Sequence, residues 1–495
     1  MEWFAAGWQE RPKGSDVRQD ETTAGPAIVW FRDDLRLADH PALEAANASG
    51  RPVLCLFVLE QGTERRPSGA AARWWLDKSL AALDGNLRQL GGRLTVRRGD
   101  PRHILPELAA STRAAELHFN RRYDRDGREI DETVAAELRR LGTTVADHPG
   151  WLLFEPGTLR TKTGTPFRVF TPFWKAHRPH LAPRARLYRR PEAMSFFGDR
   201  IASEPLASLG LHPTHPDWSG GLAESWAPGE AGAKARLLAF LDTGLPRYAG
   251  ERDFPAADAS SSLSPHLRFG EIAVARVVHE VMKAEAAGSV PVEAAEKFLA
   301  EIGWREFAWH LLSSFPDLAT RNFQTGFEHF AWRTDATDFR AWSTGRTGYP
   351  IVDAGMRQLW QTGFMHNRLR MIAASFLVKH LLIDWRQGEQ WFWDTLVDAD
   401  AASNPFGWQW VAGTGADAAP YFRVFNPVAQ GEKFDPDGAY VRRFVPEVAG
   451  LPNRFLHRPW EAPPLLRPPS AIYPSPIVDH EEGRKRALAA FAERR

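Results

Sequence analysis

The chain has 495 residues, 43% of them hydrophobic, and its 62 Lys and Arg nearly balance 61 Asp and Glu. That length exceeds what a single hydrophobic core serves and predicts two domains. A net charge of +1 excludes a protein that coats nucleic acid through a uniformly basic surface, and apolar runs such as Val53 to Leu59 fall far short of the ~20 residues of a membrane span.

Residues 1–25 show neither the basic start nor the apolar stretch of a secretory signal, and their charged, Gly-containing end predicts a disordered extension. Without them the net charge is +3, so any nucleic-acid site must be a local patch. Cys55 is the only cysteine, which excludes an internal disulfide and predicts a cytoplasmic protein. Twenty Trp is an unusual number, and core packing is expected to account for most of them.

Residues 26–155 alternate short apolar runs (AIVWF, PVLCLFV, RLTVR, AELHF, TTVAD) with helical stretches such as RWWLDKSLAALDGNLRQL and REIDETVAAELRRL. This alternation predicts βαβ units and an α/β domain on a parallel sheet. Neither GxGxxG nor GxxxxGK[ST] follows a strand, so a conventional dinucleotide site is unsupported there. Residues 156–232 are read as an interdomain linker. Its first part, 156–191, holds nine Lys and Arg and no Asp or Glu among many prolines, which suits either a solvated connection or a phosphate-facing patch. From 233 to 495 the apolar spacing of three and four, as in EKFLAEIGWREFAWHLL and HNRLRMIAASFLVKHLLIDW, predicts an all-α domain.

Three constellations in that domain carry chemistry. Glu301, Trp304 and Arg305 stand at i, i+3 and i+4, which puts a carboxylate, an indole and a guanidinium on one helix face. An ordinary surface pair beside a half-buried Trp has the same pattern. Asn367, Arg370 and Met371 share a face opposite Leu369, Ile372 and Phe376, which suits a buried polar network or a binding surface. The segment DADAASNPFGWQW, Asp398 to Trp410, offers two carboxylates, an amide and two indoles. No His or Cys cluster accompanies Asp398 and Asp400, so no metal is expected and hydrogen bonding to an organic cofactor fits better. ASSSLSPHL, Ala259 to Leu267, supplies hydroxyls and N–H groups for a phosphate, or simply caps a helix.

These pieces, in this order, closely resemble the photolyase/cryptochrome family from about Ala27 to Arg495. The resemblance rests on VWFRDDLRLADHPAL, RYAGERDFP, SSLSPHLRFGEI, EIGWREF, TGYPIVDAGMRQL, MHNRLRM and the stretch from DADAASNPFGWQW to FVPE. It implies an N-terminal α/β domain joined by a long linker to a helical domain that encloses FAD beneath a surface cavity. Tyr248, Ser260, Ser261, Ser262, Leu263 and Ser264 match the segments that hold the FAD phosphates and adjacent groups. Phe298, Glu301, Arg305, Phe364, Asn367, Arg370, Asp398 and Asp400 match positions around the flavin, and Asn404 matches the side chain facing its reactive ring nitrogen. Glu301, Trp304, Asn367, Met371 and Trp410 match the lining of a cavity for a flipped-out pyrimidine dimer, a role that aromatic walls and a few polar groups suit. Arg252, Arg368 and Gln430 match contacts to the DNA backbone, and Trp408, Trp385 and Trp332 match an electron-transfer chain to the flavin.

The implied activity is light-driven repair of cyclobutane pyrimidine dimers in damaged DNA, a carbon–carbon lyase reaction, by a monomer with no membrane partner. The other reading is a cryptochrome photoreceptor, which often carries a longer tail. A (6-4) photolyase is disfavoured because His residues typically stand where this chain has Asn367 and Met371. Phe298 and Phe364 replace common Trp residues but keep an aromatic wall. Pro405-Phe406 departs from the usual small residues and predicts a stiffer loop beside Asn404. FNRRYDRDG lacks the pattern of one folate site, so a second, antenna chromophore is either a folate held otherwise, a deazaflavin or absent, and RPSGAAARWWL is a candidate to line it.

Overall fold

The computed structural model describes residues 25–198, 201–417 and 422–493. The expected disordered extension, residues 1–25, therefore lies outside the described residues except for Gly25. Five strands, β1 (Ala27–Phe31), β2 (Val53–Glu60), β3 (Leu94–Gly99), β4 (Glu116–Asn120) and β5 (Thr144–His148), pair in parallel in the order β3-β2-β1-β4-β5. All five residues of central β1 are buried, as a strand covered on both faces requires. The crossovers run through α1 (Pro41–Ala48), α2 (Ala70–Gln89), α3 (Pro101–Thr112) and α4 (Arg125–Arg140).

The strand order reverses between β1 and β4, where an open α/β sheet ordinarily offers a ligand crevice. Charged side chains fill that crevice here. Arg32 and Arg122 both grip Asp131, at 3.1 and 2.6 Å, and Arg65 bridges Asp33 at 3.1 Å and Asp124 at 3.3 Å. The space left is about 20 Å³, room for roughly one water. A folate or deazaflavin does not fit there as the side chains stand. Within RPSGAAARWWL, Trp74 and Trp75 are buried in the core of the α/β domain.

The stretch after the sheet is no free connector. Leu153 and Phe154 donate their backbone N–H groups to the buried Glu306 carboxylate at 2.9 and 3.0 Å. Burial pushes that carboxyl up to about 7, against the pull of the neighbouring Arg305 guanidinium and the two N–H donors. α5 (Phe170–His177) then packs on the long helix Val292–Ser314 so closely that a Cβ on Gly303 would fall 2.4 Å from the Trp174 ring.

The two domains meet across a polar seam. Glu271 has no exposure and accepts from Trp75 Nε1 at 3.0 Å and Ser79 Oγ at 2.7 Å on α2, from Gly229 N at 2.7 Å, and from His266. Arg268 reaches Asp33 at 2.7 Å and the Ala399 carbonyl at 2.9 Å. Gly270, at φ +60°, passes so close to the other domain that a Cβ would lie 2.1 Å from the Asp33 carbonyl oxygen. Removing the carboxylate leaves several buried donors unpaired, each costing about 1–3 kcal/mol. Glu271→Ala is therefore expected to lower unfolding stability by at least ~3 kcal/mol, measured by urea denaturation; a loss below ~1 kcal/mol contradicts this account of the seam.

Candidate functional site

The helical domain encloses a cavity of about 520 Å³, within the range of small-molecule and cofactor sites. Most of the side chains singled out in the sequence converge on it. Glu301, Trp304 and Arg305 line it from helix Val292–Ser314, and Asn367, Arg370 and Met371 from helix Asn367–Ser375. Asp398, Asp400, Asn404, Trp408 and Trp410 line it from the chain leading into and through helix Ser403–Ala412. Tyr248, Arg252, Phe298 and Phe364 complete the wall, with Ser260, Ser261, Ser262 and Ser264 at one end. Leu263 is the exception in that run: its side chain is 1% exposed and packs in the hydrophobic core.

The serine end is organised by a residue outside every motif. Arg236 donates to the carbonyls of Ser260 and Ser261, both at 2.8 Å, and to Ser262 Oγ at 3.2 Å. Those bonds hold a turn in which Ser262 takes φ +50° and the hydroxyls face the cavity. Sequence periodicity gave no signal for Arg236, because its partners lie some 25 residues downstream in a loop.

Asp398 holds the centre. Its Oδ2 accepts from Arg370 at 2.8 Å and from Ser264 Oγ at 2.6 Å, while its buried Oδ1 finds no donor among the described residues. A buried acceptor oxygen left open on a cavity wall calls for a donor from a bound molecule. Trp408 Nε1, also buried on this wall and unpaired, calls for an acceptor. Hydroxyls for phosphate, an open acceptor, an open donor and flat aromatic walls suit an FAD-sized molecule. Asp400 has a second duty: its Oδ1 takes the N–H groups of Ala402 and Ser403 at 2.8 and 2.5 Å, which starts the next helix.

Pro405-Phe406 does not stiffen a loop. Both residues lie inside helix Ser403–Ala412, with Pro405 in the first turn, where its missing N–H has no intrahelical partner to lose. Phe406 adds to the aromatic wall, 5.9 Å from Trp304, and Trp304 stacks on Phe170 at 3.6 Å and 10°. Arg252 binds Glu301 at 2.5 Å, and Arg368 binds Asp253 at 2.8 Å while lying 4.4 Å over the Phe434 ring. Phe434 ends helix Pro427–Phe434, which also carries the half-buried Gln430.

The three Trp of the expected chain are spread through the structure. Trp408 lies over Gly388, where a Cβ would be 2.2 Å from its ring, one turn along the helix from the fully buried Trp385. Trp332 is half-buried and neighbours Phe330 at 4.4 Å. Trp408 also meets Trp342 edge-on at 6.0 Å. From there Phe339 (5.6 Å), Trp391 (6.2 Å) and the 64% exposed Trp360 (6.1 Å) form a second aromatic line to the surface. Among the described residues no group of three His, Cys, Asp or Glu could hold a metal ion, and no helix is long and apolar enough to cross a membrane.

An α/β domain on a parallel sheet, set against a helical domain with a cofactor-sized cavity, defines a two-domain protein whose cofactor site lies in the helical domain. The family described as DNA photolyase matches residues 27–192, and the FAD binding domain of DNA photolyase matches residues 298–493. A deoxyribodipyrimidine photo-lyase of Agrobacterium fabrum is 50% identical over 472 residues, 94% of this chain and 98% of its own length. Cryptochrome-1 of Arabidopsis thaliana is 37% identical over 95% of this chain and 71% of its own. The crystal structure of a class III photolyase from Agrobacterium tumefaciens superposes with a TM-score of 0.92 at 49% identity, covering 97% of this chain and 99% of that one. The chain belongs to the DNA photolyase family, and its cofactor is FAD.

Asp398→Ala removes the anchor of Arg370 and Ser264 and the open acceptor together. Arg370 is 27% exposed, which tempers the loss, so FAD affinity is expected to fall by about 2–3 kcal/mol, or roughly 30- to 150-fold. Equilibrium dialysis against FAD measures it; unchanged retention would show that Asp398 does not face the cofactor.

Proposed function

We propose that this protein repairs cyclobutane pyrimidine dimers in DNA under light, as a monomer in the cytoplasm. The observation that carries the reading is the mouth of the cavity. Trp304, Phe406, Trp410 and Met371 make an aromatic and apolar slot there, and Glu301 and Asn367 are the polar side chains beside it. A flipped lesion needs flat walls for its rings and a few groups for its base edges, and a dimer that stacks poorly in the duplex costs less to extrude. Reduced FAD, when bound and excited, supplies an electron to the lesion and recovers it after the ring opens, with no net redox change. Glu301, fixed by Arg252, is placed to stabilise charge that develops on a lesion carbonyl.

The charged surroundings favour DNA over a signalling partner. Arg160, Lys162, Arg168 and Lys175 are exposed and form no ion pair with a carboxylate among the described residues. They flank Phe170, which stacks directly on Trp304, so the basic stretch borders the mouth. Of the two readings of residues 156–191, a phosphate-facing patch therefore fits better than a solvated connection. Arg252, Arg368 and Gln430 would hold the backbone and fix register without reading sequence. Trp408 lines the cavity and starts the aromatic line through Trp342, and it is the residue through which electrons from the surface would pass to the flavin.

Reduced protein and a thymine-dimer oligonucleotide, incubated under blue light and in darkness, decide the central point. Dimer should disappear in light alone; equal dimer in both, with FAD bound, sinks repair and leaves the photoreceptor reading. Trp304→Ala should weaken lesion binding by about 1–3 kcal/mol, the worth of one base–aromatic stack. Trp408→Phe should slow photoreduction of the oxidised protein while chemically reduced protein still repairs; loss of both contradicts the electron-transfer role.

A further inference from the structure

Asn404 lines the cavity, and both hydrogens of its amide are taken by one neighbour. Its Nδ2 donates to the Glu389 carboxylate at 2.9 Å and to the Glu389 backbone carbonyl at 3.1 Å. Those two oxygens only accept, so the amide carbonyl is left toward the cavity, and it meets no donor among the described residues. The direction in which Asn404 points its oxygen is therefore decided by Glu389.

Glu389 is in turn held from the other domain. Its side chain is 4% exposed, and burial pushes its carboxyl up. Arg66, from the loop before α2, opposes that with a two-pronged contact, NH1 at 2.8 and 3.1 Å and NH2 at 3.1 Å. Among the described residues Arg66 is the one charged group paired with Glu389. The loop is seated firmly: Arg66 lies 4.1 Å over the Trp393 ring, Trp393 Nε1 donates to the Pro67 carbonyl at 2.9 Å, and Ala70 N donates to Asp394 at 2.8 Å.

We propose that Arg66 is a positioning residue that acts through Glu389 to keep the Asn404 carbonyl turned into the cavity, and so biases the site toward reduced flavin. This rests on the reading that Asn404 faces the flavin's reactive nitrogen. In reduced flavin that nitrogen carries a hydrogen and donates; in oxidised flavin it only accepts. A carbonyl facing it favours the reduced form, and a reversed amide, offering N–H, favours the oxidised form. While Glu389 stays ionised, reversal would set the amide oxygen against two acceptors. Without Arg66 the burial that pushes this carboxyl up goes unopposed by a cation, so the carboxyl protonates more readily, and a protonated carboxyl can donate to the amide oxygen and makes reversal available.

The test is the two-electron midpoint potential of FAD bound to the full chain, titrated against a reference dye. Arg66→Met should shift the ratio of reduced to oxidised affinity about tenfold toward oxidised, a fall of about 30 mV. Arg66→Lys should restore most of the shift. Glu389→Gln, which keeps the side-chain shape, should lower the potential at least as far, and adding Arg66→Met to it should change nothing more. Should Arg66→Met fail to retain FAD, the Glu389→Gln pair with wild type carries the same comparison. Additive shifts in the double variant, or a potential unmoved in Arg66→Met and Glu389→Gln while Asn404→Ala moves it, overturn the relay. A potential unmoved in Asn404→Ala as well overturns the placement of Asn404 beside the flavin.

Discussion

A carboxylate taken out of water must find donors for its oxygens, and this fold is assembled around that requirement. Glu271 is the clearest case, with no exposure and donors arriving from both domains. Glu306 does the same for the chain leaving the sheet, and Asp353 ties Thr347, Gly348 and Tyr473 to helix Pro350–Thr362. Each is a fixed post that a neighbouring element cannot leave without stranding buried polar groups. Against that background Asp398 stands out on the cavity wall, since one of its oxygens is buried and unanswered among the described residues. The same rule that holds the scaffold rigid marks the place where a ligand completes it.

Much of the site could be read from sequence because its parts are local. Glu301, Trp304 and Arg305 come together through helix geometry alone, as do Asn367, Arg370 and Met371, and the structure brings all six to one cavity. The alternation of strands and helices likewise gave the parallel sheet, though not that its crevice is closed, since that depends on arginines from three separate loops. What periodicity missed was long-range or conditional. Arg236, Arg66 and Glu389 act through partners 15 to 323 positions away, where no local pattern connects them. A proline signals a loop on average, yet the first turn of a helix accepts Pro405 freely. Leu263 sits in a run of cavity-facing serines, but a turn sends its apolar side chain to the core.

The tryptophan excess divides along similar lines. Trp30, Trp74, Trp75, Trp342 and Trp385 are fully buried, which is ordinary core use. Burial does not make them inert. Trp342 packs in the core and also continues the aromatic line from Trp408 toward Trp360, and Trp385 anchors through Asn322 at 2.9 Å one turn from the glycine beneath Trp408. Rings locked by packing keep fixed separations, so the packing use and the electron-carrying use of an indole support each other here.

The N-terminal domain then needs a reason to be present, since its sheet has filled its own ligand crevice with Arg32, Arg65 and Arg122 and their carboxylates. Its contribution lies at the seam. Asp33 fixes Arg268, whose guanidinium also holds the Ala399 carbonyl between the two aspartates of the flavin wall. Trp75 and Ser79 satisfy Glu271, and with it the helix that follows the serine loop. Arg66 satisfies Glu389 behind Asn404. Lysine could supply the charge at that last position but not the planar two-pronged grip or the stack on Trp393. Asp33 thus meets the cavity wall directly at Arg268, and Arg66 reaches it through Glu389, so the α/β domain serves the cofactor site as its back wall.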